Sequence, residues 1–585
     1  MILSNSVSFK RNLIFLIGIV YIFSRMIFLD RDVPPWDVSF YSAFDEFYYT
    51  VAGFNMFRFG NPDFDLTNYL QTENLYGHNF IQNLFTWISY ELFGNNYYGL
   101  RMASVIGSII ALTFFVLILN RLFFQSERPK VFHKIIFWLI PIYILVDYNF
   151  IIAGRIAEPS IFRIASVLFM IWVYLKINKD KLFNIALLGF LSGCAVLLIY
   201  MNNLFVIISV FTLLILNKDI SLKTTGKTAS LFLIGLIISV IFYYTLYYII
   251  FEKNPFLSMQ ATISNYEDRV NLFSFTSILS ILKSFIGNSI KFISTNIFRH
   301  NLVLLIIFLS LLPVFIQKIR KYRSEIDLTI ASFYIFLFLQ SLFINDYFFR
   351  KQVLQLPLVL IIIGSSLFYL KEFISQIANT RYFKFYMLYL VLSWFVTIFI
   401  FIYSVRIYTF YNSPVVFINI ITLSFFVLIF GFMFYKKSIR KSGIIAIFIL
   451  LIVPNIFLNF RYIYWKPEYK HRDAMIDAAP LLNDKIIAGG PSHALRMYNS
   501  GIPVFDFWQF ENNHKLYREK FFRLLADKKV DMSFAFINKA GEVYQSQFLD
   551  LKITDIGFTK IKELDINLDL LLPEKDVRLG IFKSP

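Results

Sequence analysis

The sequence predicts a polytopic α-helical membrane protein of about thirteen spans with a small α/β domain on its outer side. Three observations predict it. Of 585 residues, 57% are hydrophobic and only 16% are charged, whereas an ordinary soluble domain is ~25% charged. Mean hydropathy is +0.62. The charge is also unevenly placed: 35 of the 94 acidic and basic residues lie in residues 466–585. The other four-fifths of the chain is too apolar for a water-soluble fold, and it breaks into runs of membrane-spanning length.

A spanning helix needs ~20 apolar residues, because lipid tolerates only backbone that is hydrogen-bonded within its own segment. Thirteen runs qualify, near 12–29, 98–124, 135–152, 159–176, 182–200, 202–217, 229–251, 300–317, 327–344, 352–370, 383–404, 414–435 and 442–460. Lys10 and Arg11 precede the first run, as they would in a signal peptide. Arg25 and Asp30 stand where a small-residue cleavage site would be, so the run reads as a retained helix. Alternate connections carry 23 basic residues in short loops, among them Arg121, Lys179, Lys321 and Lys441. The positive-inside bias makes that side cytoplasmic. The N-terminus is then cytoplasmic, the C-terminal domain lies outside, and the expected location is the cytoplasmic (inner) membrane.

The net charge of +18 sits in short clusters between apolar runs, which is the topogenic pattern and argues against a nucleic-acid partner. The single cysteine, Cys194, excludes an intramolecular disulfide, a CxxC redox pair and a thiolate zinc cage. It reads as a small buried apolar residue.

Three outer segments are long. Residues 30–97 hold nine acidic residues against Arg31 and Arg58. Residues 252–299 mix charges with apolar pairs and read as a helix on the membrane surface. In residues 466–585, DKIIAGG, IPVFDFW and VDMSFAFI read as strands, with NNHKLYREKFFRLLADKK as a helix between two of them. The expected division is therefore a transmembrane catalytic domain over 1–465 and an outer α/β domain over 466–585.

Chemistry is concentrated in AFDEFYYTVAGFNMFRFG, where adjacent carboxylates Asp45 and Glu46 precede an aromatic amphipathic helix closed by Gly60. A carboxylate beside a low-dielectric surface has a raised proton affinity, which suits a general base. The other reading is a pair of loop acids in water, and composition does not choose between them.

The order of features resembles the polyprenyl-phosphate-sugar-dependent glycosyltransferases of the GT-C superfamily, in particular protein O-mannosyltransferases and the lipid A aminoarabinose transferase. Those proteins carry a DE pair after the first helix, an amphipathic stretch ending in Gly, and an "lFG…RL" segment opening the second helix. Here these read Asp45-Glu46, Gly60, Leu92-Phe93-Gly94 and Arg101-Met102. GRIAEPSIF, FFRKQVLQLPLVLIII and AGGPSHALRMYNSGIPVF extend the likeness along nearly the whole chain.

The resemblance implies an inverting transfer of a sugar from a polyprenyl-phosphate carrier to a lipid, glycan or protein acceptor, in a membrane-lipid setting. Asp45 would deprotonate the acceptor hydroxyl and Glu46 would support the site. Arg350 and Lys351 would meet the lipid phosphate; the alternative for them is interfacial snorkelling. Arg101 would pair with Asp45 or Glu46, or touch phosphate. Arg155 and Glu158 would pair with each other, or Glu158 would line the acceptor pocket. One departure is LYGHNFIQNLFTWISY, which has His78 and Asn79 where the family commonly has Lys-Pro-Pro. His78 is thus a candidate contact to phosphate or sugar. No cofactor is implied. A divalent cation, as in the related oligosaccharyltransferases, is not indicated; Asp63-x-Asp65 is the candidate pair for one. Two rival functions are a transporter or flippase of a lipid-linked saccharide, and a polysaccharide polymerase or ligase. Transporters place charges near the midplane of broken helices, whereas the candidate residues here crowd the outer ends of the spans.

Overall fold

The computed structural model describes residues 6–32, 45–62, 79–124, 131–216, 222–252, 301–343, 353–378, 380–407, 413–435, 441–465, 469–488, 496–505, 530–537, 557–565 and 578–585, with a few isolated positions besides. A helical bundle carries a five-stranded sheet near its C-terminus. The first helix is α1 (Ser6–Met26), and the segment after it holds α2 (Asp45–Tyr49), α3 (Val51–Phe59) and α4 (Phe80–Phe93). Next come α5 (Tyr97–Phe124), α6 (Val131–Val146), α7 (Tyr148–Ala153), α8 (Ser160–Lys176), α9 (Leu182–Cys194), α10 (Leu204–Leu216) and α11 (Leu222–Phe251). The second half of the bundle is α12 (Leu302–Tyr322), α13 (Glu325–Phe343), α14 (Gln355–Ile377), α15 (Arg381–Ile407), α16 (Ser413–Tyr435) and α17 (Lys441–Asn459). Helix α18 (Lys470–Leu482) leads into the sheet.

Each predicted span overlaps one of these helices. Among the described residues seven helices are long and apolar enough to cross a membrane, and shorter apolar helices cover 16–26, 135–146, 204–216 and 416–429. The span expected over 135–152 is instead interrupted. Helix α6 stops at Val146, and the Asp147 carboxylate accepts from Phe150 N at 2.9 Å to start α7. The backbone groups freed by the break are taken by α17: Asn459 Nδ2 donates to the Val146 carbonyl at 2.6 Å, and Tyr148 N donates to Asn455 Oδ1 at 3.1 Å. Away from water such groups must find protein partners. Cys194 is only partly buried.

Helices α9 and α11 approach through small residues. A Cβ on Gly235 would fall 1.9 Å from the Ala186 carbonyl oxygen, and one on Gly189 would fall 2.1 Å from that of Phe232. Close approach of this kind is how helices gain packing energy where lipid supplies no hydrophobic drive. At the bundle end opposite the first outer segment, Glu325 pairs with Lys179 and, at 3.6 Å, with Arg121. There too, Lys318 neutralises the buried Asp327 at 2.8 Å.

In the sheet the strand order is β2-β1-β3-β5-β4. Strand β1 (Ile486–Ala488) runs parallel to both β2 (Ile502–Phe505) and β3 (Met532–Ile537), as an α/β crossover requires. Strands β4 (Thr559–Asp565) and β5 (Arg578–Lys583) add an antiparallel hairpin that the sequence reading did not identify. The surface helix expected in 252–299 and the helix expected in 512–529 fall essentially outside the described residues.

The glycine contacts give a signed prediction. Gly235→Leu forces α9 and α11 apart and should cost at least about 1–3 kcal/mol. Gly226→Ala, at an exposed helical position with no neighbour within 4 Å, should stabilise by up to ~1 kcal/mol. Thermal unfolding of both variants in detergent checks the two signs.

Candidate active site

The site is built where α1 ends. Ile27–Asp30 forms a turn after α1, and Phe28 in it has φ +53°, a left-handed conformation that costs a bulky residue roughly 1–3 kcal/mol. The last carbonyls of a helix have no partner within the helix, so a buried helix end needs outside donors. Arginines supply them. Arg155 Nη2 donates to the Phe28 carbonyl at 2.6 Å and Nη1 to that of Ser24 at 3.2 Å. Arg101 Nη1 donates to the carbonyl of Leu29 at 2.6 Å and also to that of Arg31.

Arg101 opens α5 and is 3% exposed; Glu46, in α2, is wholly buried. The two meet side-on, with Nε on Oε1 at 2.8 Å and Nη2 on Oε2 at 2.6 Å. This bidentate form is the strongest geometry available to a carboxylate and a guanidinium. Glu46 Oε1 also accepts from Ala157 N at 2.8 Å, so the loop between α7 and α8 is tied to the same carboxylate. The Arg101 guanidinium stands 4.4 Å over the Tyr97 ring, and that ring packs edge-on against Phe47. One apolar cluster joins Phe47, Phe54, Tyr97 and Leu100 to Met475 and Leu482 of α18 and to Ile581 of β5. The segment between α1 and α5 therefore packs directly against the sheet domain.

Of the residues singled out in the sequence, Glu46, Arg101 and Arg155 converge on this turn. Asp45 is the first residue of α2, and its side chain lies outside the described residues. Arg101 takes the Glu46 partnership of the alternatives open to it. Arg155 takes carbonyl partners from α1 and the turn after it; burial pushes its guanidinium down to about 9, which still leaves it charged at neutral pH. Glu158 is buried and accepts from Ser160 Oγ at 3.5 Å. His78, Arg350, Lys351, Asp63 and Asp65 lie outside the described residues. Among the described residues no three His, Cys, Asp or Glu side chains come together to hold a metal.

Sequence reasoning passed over Asp32, Arg31 and Arg163. Arg163 lies inside an apolar run, a recognisable signal, and its Nε and Nη2 reach Asn203 Oδ1 and the Asn202 carbonyl, each at 3.0 Å. Asp30-Arg31-Asp32 follows the first span directly, but counts as ordinary loop charge until the distant chain it meets is known.

Glu46→Ala would leave the Arg101 guanidinium buried without its carboxylate, so a loss of about 3–5 kcal/mol is expected. The double variant Glu46→Leu/Arg101→Met should cost less than Glu46→Ala alone. Unfolding midpoints of the purified proteins in one detergent test both statements.

No family model and no curated protein matches the chain. Solved structures do. The crystal structure of ArnT from Cupriavidus metallidurans in the apo state superimposes with a TM-score of 0.54 at 12% identity, over 100% of this chain and 99% of that one. The same protein bound to undecaprenyl phosphate gives 0.54 and 12%, over 99% and 98%. The oligosaccharyltransferase of Archaeoglobus fulgidus gives 0.47 at 11% identity, over 91% of this chain and 70% of that one. The chain thus shares the overall polytopic helical fold of ArnT along its whole length.

Proposed function

We propose that the protein is an inverting glycosyltransferase that moves a sugar from a polyprenyl-phosphate carrier to an acceptor hydroxyl at the outer face of the cytoplasmic membrane. The observation that carries this reading is the Asp45-Glu46 pair at the outer end of the bundle, with Glu46 locked by Arg101, in a chain whose fold matches ArnT over its full length. ArnT of Cupriavidus metallidurans binds undecaprenyl phosphate, which supports a carrier lipid of that class here. On this reading residues 1–465 form the catalytic membrane domain and 466–585 the outer domain, with the N-terminus cytoplasmic.

The roles follow from what each group can do. The Asp45 carboxylate takes the proton of the acceptor hydroxyl, whose oxygen then forms a bond to the anomeric carbon as the bond from that carbon to the phosphate oxygen breaks. The electron pair leaves with the polyprenyl phosphate, and Arg350 and Lys351 stabilise the charge that develops there. Glu46 cannot serve as a mobile base while two guanidinium nitrogens and a backbone N–H hold it; it fixes α2, and hence Asp45, instead. Acceptors with an accessible hydroxyl, whether lipid, glycan or protein, satisfy the same chemistry.

The test uses purified protein and a panel of short-chain polyprenyl-phosphate sugars, with membrane extract as acceptor, and follows release of free polyprenyl phosphate. One donor should be consumed, and Asp45→Asn should slow release on the order of 10²–10⁴-fold, the usual contribution of a positioned base. Full activity in a folded Asp45→Asn protein would remove Asp45 as base. No release from folded wild type with any donor would favour transport of a lipid-linked saccharide.

A further inference from the structure

Asp32, Arg31 and Arg472 form a set of contacts that the proposed chemistry leaves unused. Asp32 is buried, and its carboxylate accepts from the backbone N–H of His471 at 2.8 Å and of Arg472 at 3.2 Å. These are first-turn donors of α18, which the helix cannot satisfy itself, and an anion is the favoured acceptor there. The Arg472 side chain reaches back to the Asp30 carboxylate at 2.9 Å. Between them Arg31 Nη1 donates to the Ile463 carbonyl at 2.6 Å, in the segment joining α17 to α18. Three consecutive residues of the turn after α1 are thus tied to the chain that enters the outer domain.

The same turn is gripped from the other side. The carbonyls of Leu29 and Arg31 are acceptors for Arg101 Nη1, while Nε and Nη2 of that guanidinium hold Glu46. A guanidinium is planar and rigid, so Arg101 cannot follow a displaced turn on one edge and keep its bidentate contact on the other. A second link runs in parallel: Phe47, the residue after Glu46, packs in the same apolar cluster as Ala474, Met475 and Ala478 of α18.

We propose that the C-terminal domain sets the position of α2, and with it the reacting carboxylate of Asp45, through this turn, with Asp32 and Arg472 as positioning residues for sugar transfer. The path runs from the first turn of α18 to Asp32 and Asp30, through the backbone of residues 29–31 to Arg101, and from there to Glu46 and the start of α2. Its catalytic consequence rests on the glycosyltransferase reading; the mechanical coupling does not.

The experiment uses the full chain in lipid nanodiscs and compares wild type with Asp32→Asn, Arg472→Ala and Arg472→Lys. Amide hydrogen exchange is read over residues 45–59, and transfer is measured with the donor that wild type consumes. Asp32→Asn and Arg472→Ala should both speed exchange in 45–59, a segment far in sequence from Arg472. They should lower kcat on the order of 10–100-fold, the scale of a small misplacement of reacting groups. KM for the donor should stay within about twofold. Arg472→Lys, which keeps a cation opposite Asp30, should restore most of both effects. Faster exchange confined to 469–482, or unchanged kcat beside the altered contacts, would overturn the proposal. Arg472 is partly exposed, so its variants keep the test decisive if Asp32→Asn fails to fold. If wild type transfers no sugar, that failure falls on the reaction assigned above, and the exchange data still decide the coupling.

Discussion

The buried pair of Glu46 and Arg101 is the constraint on which the rest of the site depends. Two charges removed from water are costly unless each meets a full set of partners. Here the carboxylate has a guanidinium on both oxygens and a backbone N–H besides, and the guanidinium has two carbonyls on its remaining edge. Satisfying that demand draws together the turn after α1, the start of α2, the start of α5 and the loop before α8. Those four segments are far apart in sequence, and the low dielectric is what makes their meeting compulsory.

The end of α1 explains why arginines gather at this place. Carbonyls at its end and in the turn after it accept from arginine side chains instead of helical donors, and the Phe28 backbone is held in the left-handed region. Arg25, Arg101 and Arg155 each donate to carbonyls of this helix end, its turn or the neighbouring end of α6. The opposite end of the bundle meets the same need differently, with lysine–carboxylate pairs at its edge such as Lys318 with Asp327 and Lys321 with Glu372. A rigid, many-donor cation suits several carbonyls at once, whereas an ammonium suits a single acid near water.

Parts of the candidate site were legible because the signal was local. An acidic pair beside apolar sequence, an arginine opening a span on the acidic side, and a glycine closing an amphipathic helix are each visible within a few residues. Gly60 indeed adopts a left-handed conformation at the end of α3. Asp32 was not legible, because its partners, the N–H groups of His471 and Arg472, lie 439 and 440 residues away. The interruption at Asp147 was hidden for a related reason. Its apolar run is continuous, and it is Asn455 and Asn459 of α17, with Arg25 of α1, that take up the backbone groups at the break.

The sequence by itself determined the class of protein, the placing of the apolar helices and three strands of the C-terminal sheet. Each follows from hydrophobic content and periodicity within one segment, and lipid permits little else for such segments. It also determined that two adjacent carboxylates lie in the polar segment that follows the first helix. Only the tertiary structure decided that Glu46 is locked by Arg101, that Arg155 holds the end of α1, and that the outer domain is fastened to the turn between them. Those outcomes depend on which buried donors and acceptors meet across separations of 55 to 440 residues. Pairing of that kind is set by three-dimensional proximity in a medium without water, and no local pattern encodes it.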